Sequence, residues 1–143
     1  MAGEAHLVFQ AGGRRIAVPL SDLVGIAEAR ITPLPLAWDA HLGLMPHQGT
    51  VYPVLDPVVL LGLGHQRTDP ALVVLLEVEG RSVGLACQRV EGAAPLDDRP
   101  GFASGQGHEE VVVAGWPAVR PDLHAILGKV AEGGGDPPTP AGP

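Results

Sequence analysis

Between Arg14 and Val18 apolar and polar positions alternate, with Ile16 and Val18 on one side and Arg15 and Ala17 on the other. A period of two is the mark of a half-buried strand. Leu7-Val8-Phe9-Gln10 reads as a strand ahead of it, and Ala11-Gly12-Gly13 as the hairpin turn between them. Glycine takes the positive φ of a tight turn at little steric cost. The design returns later in the chain: Leu72 to Val78 is a leucine and β-branched run, Glu79-Gly80 a turn, and Arg81 to Ala86 the return strand. Phe9, Ile16, Val18, Val54, Val74, Val83 and Leu85 fall on inward faces and form the expected core.

The two hairpins belong to a longer repeat. Gly13-Arg14-Arg15-Ile16-Ala17-Val18 lines up with Gly80-Arg81-Ser82-Val83-Gly84-Leu85, and Leu23-Val24-Gly25 falls on Val90-Glu91-Gly92. Gly49 and Asp56 then pair with Gly115 and Asp122, and Leu60-Leu61-Gly62 with Ile126-Leu127-Gly128. Each half reads as a hairpin, a helical or bent segment, an extended stretch, and an Asp ahead of a short helix. The economical account is two copies of one β-rich unit of about 65 residues. Units this small bury little surface alone, so the lobes should pack together and leave a groove between them.

Lobe one is expected over about residues 6–66, with the C-terminal helix packing across it, and lobe two over about 67–130, within a folded region of 1–132. Pro33, Pro35 and Pro46 punctuate the loop from Thr32 to Gln48, since proline cannot donate to a sheet ladder. Asp97 to His108 reads as a mobile loop. Residues 133–143 are almost entirely Gly and Pro, which predicts a disordered tail.

Charge and composition narrow the class of partner. The net charge is −7 and the only lysine is Lys129, so no basic patch is available to displace counterions from nucleic acid or an anionic membrane. Cys87, the single cysteine, has no internal disulfide partner, and a reducing compartment follows. The N-terminus lacks a signal-peptide pattern, and the longest apolar runs are too short to span a bilayer. A cytoplasmic protein without membrane insertion is the expectation.

Candidate chemistry is thin. His41 and His47 lie in a proline-containing loop without the companions zinc requires, so no metal or cofactor is implied. Cys87 closes an apolar strand and reads as a buried, inert thiol. Glu109 and Glu110 are neighbours on an extended segment and point to opposite faces. Asp56 and Asp122 each precede a short apolar run, which suits a helix N-cap. Gly62-Leu63-Gly64 completes no phosphate-binding loop, and around Ser104 no Gly-x-Ser-x-Gly nucleophile pattern is completed. No catalytic residue emerges.

In order and spacing, the motifs resemble the CheW coupling proteins of bacterial chemosensory pathways. Leu7-Val8-Phe9 with Gly13 to Leu20 is similar to the family's opening hairpin. Ile31-Thr32-Pro33-Leu34-Pro35, followed by Leu42 to Asp56, is similar to its central signature, and Arg81 to Leu85 with Val90 to its second-lobe hairpin. The resemblance runs over about residues 6–130. It implies an all-β fold of two intertwined, SH3-like, five-stranded β-barrels with short helices, and no catalytic activity. It implies two partners as well: the regulatory domain of a histidine kinase at the lobe ends, and a chemoreceptor cytoplasmic hairpin in the groove between the lobes. Carried over, Gly43 and Gly49 match the groove glycines, and Leu23 and Ile26 its aliphatic wall.

Four residues depart from the pattern. Gln48 stands where the family has arginine, Pro46-His47 replaces Asn-Leu, and Cys87 occupies a place where aspartate is common. Glutamine cannot replace a planar, bidentate cation. A divergent coupler with its own receptor is one outcome. The other is a sensor or sequestering module of the same fold that has lost a coupling and binds another ligand in the groove.

Overall fold

In a computed structural model the described residues are 4–34, 39–64, 67–97, 102–103 and 108–131. The first hairpin forms as its alternation predicts: β1 (Ala5–Ala11) pairs antiparallel with β2 (Arg14–Pro19), Phe9 opposite Ile16. A short 3-10 turn (Leu20–Asp22) leads into β3 (Leu23–Glu28), then β4 (His41–His47), β5 (Thr50–Leu55) and helix α1 (Pro57–Leu61). The second copy follows as β6 (Leu72–Val78), β7 (Arg81–Cys87), β8 (Arg89–Pro95), a two-residue β9 (Phe102–Ala103), β10 (His108–Val113), β11 (Trp116–Pro121) and helix α2 (Leu123–Ala131). The repeat is therefore structural in its main elements, and the segment after each hairpin is a strand, preceded in the first half by the 3-10 turn.

Four tight turns carry the same signature. Gly12-Gly13 (φ 55 and 79), Gln48-Gly49 (49 and 83), Glu79-Gly80 (53 and 80) and Ala114-Gly115 (52 and 82) each place two positive φ values in succession. This is the type I′ geometry whose twist matches that of the flanking strands. Glycine holds the second position in all four turns.

The strands divide into two sheets, ordered β8-β1-β2-β11-β10-β9 and β3-β6-β7-β5-β4. The division does not fall near residue 66. The N-terminal hairpin joins the sheet built from β8 to β11, while β6 and β7 join β3, β4 and β5, so the two halves exchange their hairpins. Parallel contacts seal each exchange: Val119 in β11 pairs with Ile16 in β2, and Val54 in β5 with Gly84 in β7. Local hairpin signals cannot reveal this, because a hairpin's own register is indifferent to the sheet it joins.

The exchange explains why the central strands are apolar on both faces. Phe9, Ile16 and Val18 of one sheet meet Leu55, Val74, Val83 and Leu85 of the other, with Ile126 and Leu127 of α2, in one shared core. Val8, Ala17, Val111 and Val113 fill the interior of the first barrel, and Met45, Tyr52, Val54, Val73 and Leu75 that of the second. All seven expected core residues are fully buried, although Val54 faces the second barrel's interior rather than the shared core. Strands buried on both faces lose their alternation, as Leu72 to Leu76 does.

Both expected caps form. Asp56 is buried, and its carboxylate accepts from the Val58 N–H at 3.0 Å, the Thr68 N–H at 2.9 Å and the Thr68 hydroxyl at 2.9 Å. Asp122 accepts from the Ala125 N–H at 3.2 Å. Within the stretch expected to be a mobile loop, Phe102–Ala103 pairs with β10, and Asp97 accepts from the Ala114 and Gly115 N–H groups. His108 opens β10, while residues 98–101, 104–107 and 133–143 lie outside the described residues.

Candidate functional site

β3 begins where the chain crosses from one sheet to the other, and it is an edge strand. Leu23 pairs with Leu76 and Ile26 with Val74, with a bulge between Leu23 and Gly25. The extra residue puts Leu23 and Ile26 on one face despite their odd separation. That face is the one on which Val74 and Leu76 enter the shared core. Leu23 is partly buried against this core, whereas Ile26 is 40% exposed and Val24, in the bulge, 51%. An edge strand with two exposed aliphatic side chains can receive the apolar stripe of an amphipathic helix.

The other residues expected at the groove lie elsewhere. Gly43 sits inside β4 at φ 147, and a Cβ there would fall 2.1 Å from the Thr32 carbonyl oxygen. Its neighbour Leu44 exchanges backbone hydrogen bonds with Thr32 at 2.8 and 2.9 Å. This is the bridge that closes the second barrel, so the close approach Gly43 permits is to its own chain. Gln48 and Gly49 form the exposed tip of the β4–β5 hairpin, where a Cβ on Gly49 would meet nothing within 4 Å. The structure thus brings Leu23 and Ile26 together, and holds Gly43 inside and Gln48-Gly49 at a turn.

Cys87 lies in the shared core, fully buried. Burial pushes its thiol up to about 11, leaving it protonated and a poor nucleophile at neutral pH. An aspartate there would enter an apolar core, so the departure to cysteine suits its surroundings. Among the described residues no group of three or more His, Cys, Asp or Glu could hold a metal ion, and no helix is long and apolar enough to cross a membrane.

A cavity of about 660 Å³ opens at the crossover, between the 3-10 turn, the end of β11 and the start of α2. Asp22, Arg120 and His124 are among its walls, and Arg120 is ion-paired to Glu109. Burial, then the nearby Glu4, raises the Asp22 carboxyl above its usual range. The expected groove residues are not among its walls. A second opening, of about 450 Å³, interrupts the wall of the first barrel beside Trp116. Glu91 there accepts from Arg15 at 2.6 and 3.1 Å and from Gln10 at 2.6 Å. The hydrogen bond from Arg15 holds the Glu91 carboxyl below its usual range. Nothing in the periodicity marked this cluster, because Gln10, Arg15, Glu91 and Trp116 come from four strands.

Known proteins carry the same pattern. A CheW-like domain matches residues 5–113. The protein FrzA of Myxococcus xanthus is 33% identical over 86 residues, which is 59% of this chain and 54% of that protein; the chain thus spans about half the length of this relative. The crystal structure of the scaffolding protein TtCheW from Thermoanaerobacter tengcongensis superposes with a TM-score of 0.70 at 17% identity, over 86% of each chain, a likeness of fold. From the family match over most of its length, with which the paired-sheet fold agrees, it follows that the chain belongs to the CheW-like domain family.

Proposed function

We propose that this protein is a non-catalytic adaptor that couples a chemoreceptor to a histidine kinase, binding the receptor's cytoplasmic hairpin along β3 and the kinase regulatory domain at the barrel ends. The observation that carries the reading is the pair Leu23 and Ile26, which the β3 bulge turns to one face, half-embedded in the shared core and half open. Family membership supplies the class of partner. An aliphatic edge anchored in a rigid core presents apolar contact at small entropic cost, which favours a preformed amphipathic helix. The buried, protonated Cys87 speaks against thiol chemistry.

The test is the affinity of a receptor cytoplasmic fragment for the parent and for Ile26→Glu. Because Ile26 is exposed, the variant should fold, while receptor binding weakens by roughly tenfold or more and kinase-domain binding stays as in the parent. Unchanged receptor affinity would remove β3 from the interface.

A further inference from the structure

The opening beside Trp116 is unlike its counterpart in the other barrel. Along the repeat, the places of Arg15, Glu91 and Trp116 are taken by Ser82, Val24 and Thr50, so the cluster is not a by-product of the fold. β8 is the edge of its sheet among the described strands and pairs with β1 alone along its length. Among the described residues the segment at its C-terminal end meets the opposite wall through the Leu96–Val113 bridge and the bonds of Asp97 to Val112, Ala114 and Gly115. Beyond those contacts the described residues leave the barrel wall open between β8 and the β10–β11 turn, and a Cβ on Gly92 would meet nothing within 4 Å.

The rim is built in advance. Trp116 is 62% exposed, yet the Arg15 guanidinium lies 5.3 Å from its ring centroid and Glu91 clamps that guanidinium in turn. Tryptophan and arginine are the side chains that most often carry binding energy at interfaces, and a ring fixed beforehand loses little freedom on binding. Val8, Ala94 and Val113 give the opening an apolar floor. The charges leave a surplus: Arg15 and Arg89 both approach the one carboxylate of Glu91, at 2.6 and 3.7 Å. On a chain of net charge −7, this rim is locally positive.

We propose that this opening takes an extended segment of a partner protein, which adds as a strand to the free edge of β8, sets an aliphatic side chain on the Val8–Val113 floor beside Trp116, and places a carboxylate two residues away, on the same face, against Arg89. Strand addition satisfies the edge's backbone groups, and the pocket and the surplus cation select the side chains. The site lies on the barrel that does not contain β3, and the inference stands apart from the adaptor reading.

A displayed library of random peptides about nine residues long, enough to span β8, is selected on the full chain without receptor or kinase. Enriched sequences are synthesised and titrated by calorimetry. They should pair an aliphatic residue with an Asp or Glu two residues away, on the same face of the added strand, and protect β8 amides from hydrogen exchange. Their Kd should rise roughly thirtyfold in Trp116→Ala and several-fold in Arg89→Glu. Both side chains are exposed, so the thermal midpoints of the variants should match the parent and separate lost binding from lost folding. Enriched peptides that lack the acid, or that bind Trp116→Ala as tightly as the parent, overturn the proposal. So does an absence of enrichment. A dimer of the parent that Trp116→Ala abolishes, without peptide binding, assigns the opening to a second copy and overturns it too.

Discussion

Asp56 and Asp122 hold equivalent places in the two halves and do unequal amounts of work. Asp56 is buried and satisfies three donors, two of them from Thr68 across a loop, whereas Asp122 is exposed and satisfies one. Asp122→Ala should cost about 1 kcal/mol, the usual loss of an N-cap. Asp56→Ala also strands buried donors and should cost about 2–4 kcal/mol; urea titration of the two variants checks the contrast. The capping role of both was readable from an acid ahead of an apolar run. The burial of one was not, since it depends on Thr68 returning from twelve residues away. His41 adds a pH dependence. Burial lowers its pKa below the ordinary value of 6.5, so the unfolded chain takes up a proton before the folded one does. The stability this group contributes is fully present above about pH 6.5 and is lost as pH falls through the lowered folded value. Thermal melts between pH 7 and 5 should therefore decline in the parent and decline less steeply in His41→Gln.

Among the elements, hairpins were the most legible, because a turn with glycine at its second position between β-prone runs has few alternatives. β3 was not legible as a strand. Its bulge breaks the alternation that announces one, and its exposed valine and isoleucine carry no sign of the core beneath them. The same bulge makes Leu23 and Ile26 neighbours, so the surface feature on which the proposed function rests is one that strict period-two reading would divide between two faces. Gly43 shows the converse. Its glycine was recognisable as significant, but the reason is the Thr32 carbonyl, which lies against it only once the second barrel closes. At φ 147, a region nearly confined to glycine, Gly43→Ala combines strain with a backbone clash and should lower stability by about 3 kcal/mol or more. Chemical denaturation measures it, and a midpoint near that of the parent would mean that Thr32 moves aside freely.

At the scale of the whole molecule, duplication was visible in the sequence and exchange was not. Offset matches show that two units exist. Only the parallel contacts β2–β11 and β5–β7 show that each unit lends its hairpin to the other, and only then is one shared core explained. That arrangement fixes the two barrels relative to each other, as an adaptor requires if partners on different surfaces are to be held in one geometry. An adaptor of the proposed kind holds a receptor and a kinase at the same time. Light scattering on a size-exclusion column, run on a mixture of the chain, a chemoreceptor cytoplasmic fragment and a histidine kinase regulatory domain encoded beside it, reads out whether the three associate. One peak with the mass of all three components is expected, and it should lose the receptor fragment alone when the chain carries Ile26→Glu. Binary complexes that exclude each other, or a chain that elutes free of both partners, would contradict it.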